Sequence, residues 1–154
     1  LGLGTIALVT AVAPLVGAKS SRPGGWYRAL AKPPQTPPSW VFGPVWTGLY
    51  TLSGLSLWRV WRAPRTPARR RALALWGVQH ALNAAWSPLF FGAKRPRAAL
   101  GDLAAMVAAT GGYVAVARTI DRRAARLMLP YLGWLAFAGS INLGIVRRNR
   151  SVRG

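Results

Sequence analysis

Residues 26–50 read WYRALAKPPQTPPSWVFGPVWTGLY, and two physically different halves meet inside that stretch. Lys32–Pro38 carries four prolines. Proline lacks a backbone donor and fixes φ, so this part can be neither a helix interior nor a central strand. Beyond it the chain turns apolar, and no formal charge occurs from Pro33 to Trp58. A rigid loop flanked by tryptophans and feeding an apolar helix suits a lid over a site near a membrane surface.

Working outward, the same contrast recurs. Leu1–Ala18, Ala72–Ala93 and Leu127–Val146 are free of formal charge, and Ala98–Ala117 carries only Asp102. Each run is long enough to cross a hydrocarbon core of roughly 30 Å at about 1.5 Å per residue. The runs are continuous rather than alternating, which argues against a spanning β-barrel. The reading is an all-α membrane protein, a bundle of five transmembrane helices forming one domain over 1–154. The expected spans are 1–20, 39–62, 72–92, 98–118 and 126–147, with a lid loop over 19–38. The first run has no basic stretch ahead of it and exceeds a signal-peptide core, so it is read as a span.

Charge supports the same class. Twenty-one Lys and Arg against two acids give +19, which in a soluble protein would point to nucleic acid. Here the basic residues sit in the gaps between apolar runs, so the expected partner is membrane lipid and not nucleic acid. Ten basic residues fall on one side of the five-span arrangement and eleven on the other, so charge sets no orientation. Trp58 and Trp61, beside Arg59 and Arg62, read as an interfacial belt.

The third span carries the clearest two-faced pattern. Gln79, Asn83, Trp86 and Phe90 follow i, i+4, i+7, i+11 and share one face. Gly77, Ala81 and Ala85 form a small-residue stripe on the other, suited to close helix approach within the chain or against a second subunit. The fourth span has comparable stripes (Gly101, Ala105, Ala109 and Ala104, Ala108, Gly112), so no single interface stands out. Polar amides in hydrocarbon need partners. Asn83 could donate to a ligand carbonyl between walls formed by Trp86 and Phe90, with Trp46 and Tyr50 of the second span facing the same space. Tyr131, Trp134 and Asn142 extend the pattern into the fifth span, with Pro130 near its start. His80 reads as packed, and Asp102 as a carboxylate near a helix start. The absence of Cys excludes a disulfide or thiolate metal site. No nucleophile–base pair, metal cluster or phosphate loop is read in the sequence, which argues against hydrolytic and phosphoryl-transfer chemistry, and no cofactor is expected to be required.

On these residues the chain resembles the TspO/MBR family, the translocator proteins or peripheral-type benzodiazepine receptors. The block WYxxLxKPxxxPPxWxFxPVWTxLY is met from Trp26 to Tyr50. QxxxNxxWSxxFF is met by Gln79, Asn83, Trp86, Ser87, Phe90 and Phe91. PYxxWxxFA…N is met by Pro130, Tyr131, Trp134, Phe137, Ala138 and Asn142. The resemblance implies a homodimeric five-helix protein whose pocket, opening toward the first loop, binds porphyrins (protoporphyrin IX or haem-type) or benzodiazepine-type ligands. It gives Trp46 and Asn83 the role of ligand donors and Trp134 that of a wall. Pro38, Tyr50, Gln79, Trp86, Phe90, Ala138 and Asn142 complete the expected ligand-binding set. In some members the residues matching Trp46 and Trp134 are linked to light-dependent porphyrin breakdown. The sterol motif of eukaryotic members is incomplete here, with Leu143 at its Tyr position although Arg147 keeps the basic residue. The Arg- and Ala-rich composition suits a bacterial cell membrane. The expected function is a receptor or sensor for tetrapyrroles, with transport of such ligands and light-dependent degradation as alternatives.

Overall fold

The computed structural model describes residues 2, 4–8, 10, 11, 15 and 24–149. Residues 4–8, 10, 11 and 15 are helical and Gly2 is not; the other residues of the expected first span, with residues 19–23 of the lid, lie outside the described residues. Six α-helices follow: α1 (Gly25–Ala29), α2 (Ser39–Arg62), α3 (Pro67–Ser87), α4 (Pro96–Ile120), α5 (Arg122–Leu127) and α6 (Leu129–Arg148). A π-helical turn over Pro88–Gly92 extends α3. The described residues contain no strand.

Local chemistry explains where these elements depart from the expected spans. α3 starts at 67 rather than 72 because Thr66 caps it, accepting from the Arg69 amide at 3.1 Å, and Pro67 occupies the first turn. The end of the third run winds into a π turn, closed by Ala93 N–H to Pro88 O at 2.8 Å. Lys94, at φ 55°, then turns the chain in the left-handed region that ends many helices. The expected fifth span is two helices, α5 and α6, joined at Met128. Pro130 has no amide for the carbonyl of residue 126 and disfavours a continuous helix there. The lid is not wholly irregular, since α1 lies within it, but Lys32–Pro38 is free of helix as its prolines require.

α4 is the central helix. Leu103, Met106, Thr110, Tyr113 and Ala117 recur at intervals of three and four and are all buried. This stripe faces α3 and α6, its most extensive neighbours. Gly112 accommodates Leu75 of α3, and Gly139 of α6 accommodates Leu103. α2 meets α3, α5 and α6, which closes the bundle. Trp76 Nε1 donates to Ser53 Oγ at 3.0 Å, and Ser56 Oγ bonds Tyr113 Oη at 2.7 Å and the Ala124 carbonyl at 2.8 Å. The N-terminal helical residues reach α2 at Gly54, where Thr10 and Ile6 fill the place of a side chain.

Polar side chains share the interior with the apolar core, while some large apolar ones face outward. Ser53, Ser56, Gln79, Asn83, Thr110 and Asn142 are buried, whereas Leu55, Val78 and Leu129 are exposed. Pro96–Ile120 and the Arg122–Arg148 segment are long and apolar enough to cross a membrane.

One ion pair fixes the α2–α5 corner. Arg59 Nε lies 2.7 Å from Asp121 Oδ2, and Asp121 Oδ1 caps α5 by accepting from the Arg123 and Ala124 amides. Desolvation raises the Asp121 pKa, but the Arg59 bond and the two amides outweigh it and hold it below the ordinary 3.8. A depressed carboxyl pKa stabilises the fold above the ordinary value, and that contribution is lost as pH falls through the folded-state value. Asp121→Ala is expected to cost about 1–2 kcal/mol through loss of the cap and of a half-exposed pair. Asp121→Asn keeps the cap and should cost less. In thermal unfolding of the solubilised protein, the gap between wild type and Asp121→Asn should close below about pH 4. A gap that persists in acid would assign the loss to packing.

Candidate functional site

Asn83 stands where four helices converge. Its Oδ1 accepts from Tyr50 Oη of α2 at 2.5 Å, and its Nδ2 donates to Tyr131 Oη of α6 at 2.9 Å. The same amide nitrogen lies 3.7 Å from Met106 Sδ of α4, which also receives the Tyr131 hydroxyl at 3.8 Å. An amide on a helix face that would meet hydrocarbon thus has both ends satisfied by neighbours of matching polarity. The sequence reading gave Asn83 to a ligand as donor; here that donor holds Tyr131.

Aromatic rings pack around this hub. Trp46 stacks on Tyr50 with centroids 5.3 Å apart and planes at 24°, and meets Tyr131 and Trp134 edge-on at 6.1 and 6.4 Å. Phe42 and Phe137 flank Trp134 at 5.9 and 5.5 Å. Ala138 packs against the same core. His80 stacks on Trp76 at 4.6 Å, in keeping with a packed histidine. The buried indole Nε1 of Trp134 and both amide atoms of Gln79, whose side chain is fully enclosed, have no partner among the described residues. A buried donor with no acceptor costs about 1–3 kcal/mol.

The remaining expected residues fall elsewhere. Trp86 and Phe90 stack at 5.0 Å, and Phe90 takes the edges of Trp26 and Tyr27 from the lid. Phe90, Leu30, Ala99 and Ile145 form a second, smaller core beneath the loop, and Trp86 packs against both this core and the main one. Trp86 Nε1 is also buried without an acceptor. Asn142 is a clip between helices. With its amide turned to match its neighbours, it donates to Pro96 O at 3.0 Å and accepts from Leu100 N–H at 3.3 Å. Pro38 is exposed at the entrance to α2.

The lid is fastened to α6. Ala31 N–H donates to Asn149 Oδ1 at 3.1 Å, and Asn149 Nδ2 returns a bond to Ala31 O at 2.9 Å. Pro33 is buried against Gly144, where a Cβ would collide with the proline ring. Lys32 Nζ bonds the Arg28 and Leu30 carbonyls and lies 4.6 Å from the Tyr27 ring centre, so it braces the loop from within. Sequence reasoning missed Gly144 and Asn149, and named Tyr131 without its tie to Asn83. A Gly near the end of the last apolar run, five residues before an Asn just beyond it, was the available signal. Asn149→Ala and Gly144→Ala should each speed amide exchange at Ala31 and Thr36 by tenfold or more. Exchange across α4 should not change. Unaltered rates at both amides would show that another contact holds the loop.

A family model described as TspO/MBR family matches residues 4–148. The chain is 40% identical over 131 residues to the translocator protein of Homo sapiens, covering 84% of this chain and 78% of that one. It is 40% identical over 129 residues to the tryptophan-rich protein TspO of Archaeoglobus fulgidus, covering 80% of each. It is 34% identical over 155 residues to the tryptophan-rich protein TspO of Chlorobaculum tepidum, covering 94% and 96%.

Proposed function

The chain belongs to the TspO/MBR family of membrane proteins, and we propose that it is a five-span receptor or sensor that binds a tetrapyrrole or similar flat, apolar molecule within the bundle. The observation that carries this reading is the orphaned Trp134 indole at the edge of the Trp46–Tyr50–Tyr131 ring cluster. A ligand oxygen or nitrogen placed there recovers a donor that the protein alone leaves unpaired. The flat ring replaces ring–ring contacts with ring–ligand contacts, at about 25 cal/mol per Å² of apolar surface buried. Association costs then set the net affinity.

The roles differ from the simplest expectation. Asn83 positions Tyr50 and Tyr131, while Trp134 makes the polar contact. Binding requires the stacked Trp46 and Tyr50 to part, since their rings are in mutual contact. Of the lid cations, exposed Arg28 suits a ligand carboxylate better than Lys32, whose ammonium is spent on backbone carbonyls. A homodimer would use an outward small-residue surface such as Gly77 and Ala81 or Gly101 and Ala105, all exposed on this protomer. The setting is a bacterial cell membrane.

A second reading is favoured by the 6.4 Å separation of Trp46 and Trp134. Two indoles so close to a bound porphyrin could take part in its light-driven oxidation by oxygen. The experiment is a titration of detergent-solubilised protein with protoporphyrin IX in the dark, following tryptophan fluorescence, and then repeated under light. Saturable quenching is expected in wild type. Trp134→Phe should weaken it tenfold or more, equivalent to about 1.4 kcal/mol. Identical curves for wild type and a folded Trp134→Phe would sink the assigned site. Loss of porphyrin absorbance only on illumination, abolished by Trp46→Phe, would favour the degradative reading.

A further inference from the structure

At the opposite end of α2 from the lid, an open surface cleft of about 640 Å³ lies where the chain passes toward α3. Trp58, Trp61, Pro64, Arg62, Arg65 and Arg69 line it, and no acidic residue does. The guanidinium of Arg62 lies 4.9 Å from the Trp58 ring centre, and that of Arg69 lies 4.9 Å from the Trp61 ring centre. Arg69 Nη2 donates to the Trp61 carbonyl at 2.6 Å, which fixes the side chain, while its Nε is buried without an acceptor among the described residues. The contrast with Arg59 is direct: Asp121 neutralises Arg59, and that is the one ion pair among the described residues. The cations of the cleft have no such counter-charge, and the N-terminal end of α3, capped by Thr66, adds partial positive charge beside them.

From these observations we infer that the cleft binds the phosphodiester headgroup of an anionic phospholipid. Guanidinium groups with donors held in a plane match phosphate oxygens in pairs. The lipid source follows from the order of residues along one face of α2. Leu55, Trp58 and Arg62 follow i, i+3, i+7, with Leu55 exposed. That stripe runs from apolar through aromatic to cationic, the order of acyl chain, interface and headgroup in a lipid leaflet. A soluble phosphate would use the arginines and leave Leu55 idle. This inference is independent of what occupies the bundle interior.

The test uses the full chain in a non-ionic detergent, with bound lipid counted by native mass spectrometry. The probes are dioctanoyl phosphatidylglycerol, dioctanoyl phosphatidylcholine and glycerol 3-phosphate. Wild type should retain phosphatidylglycerol at least tenfold more tightly than either other probe. Arg62→Gln with Arg65→Gln should erase that preference. Arg69→Lys, which keeps the charge but not the planar fork, should weaken it. Arg122→Gln with Arg123→Gln removes the same charge outside the cleft and should leave it intact. Equal retention of phosphatidylcholine, equal loss in the control pair, or a preference that survives the cleft substitutions would overturn the inference. Glycerol 3-phosphate binding as tightly as the lipid would overturn it in favour of a soluble phosphate.

Discussion

The fold depends on how one amide is satisfied. Asn83 is on a helix that must present a polar side chain either to hydrocarbon or to its neighbours, and isolation in an apolar medium is costly. The Tyr50 and Tyr131 hydroxyls, with Met106 sulfur, meet that demand from three other helices. Because each tyrosine is also part of the aromatic cluster, the hydrogen bonds set where the rings stand. Trp46 then lies against Tyr50 and Tyr131, and Trp134 lies against Trp46. Removal of the amide would free two hydroxyls inside the bundle as well as the helix that carried it.

The same logic accounts for the polar side chains buried beside the apolar core. In lipid there is little to gain from burying leucine, so contact between helices rests on close packing and on hydrogen bonds. The bundle shows both devices. Gly112 and Gly139 admit Leu75 and Leu103, and Ser53, Ser56 and Tyr113 tie α2 to its neighbours. The arginines collect at the helix ends, where one is matched by Asp121 and others rest on tryptophan rings.

The helical class, the irregular proline segment and the inward face of the third run were legible in the sequence, because each follows from a single strong signal. Uncharged length, missing amides and a period of 3.6 do not need a partner to be read. The division of the expected site was not legible. Phe90 shares a helical face with Gln79 and Asn83, yet about two turns of helix carry it from Asn83 to a second core under the lid, with Trp86 bridging the two. Shared facing fixes direction around the axis but not depth along it. Asn142 illustrates a related limit: an inward amide reads alike whether its partner is a ligand or the backbone at Pro96 and Leu100. The break at Met128 came from Pro130, whose position near a helix start was visible while the six-residue helix before it was not.

The attachment of the lid to α6 has a mechanical meaning. Ala31 and Pro33 are held at Asn149 and Gly144, near one end of a helix whose other end carries Tyr131 and Trp134. Roof and wall are therefore parts of one lever. A displacement that lifts the loop pulls on the helix that positions the rings, and a displacement of Trp134 loads the clasp from below. Movement of the lid and rearrangement of the ring cluster therefore share one coordinate.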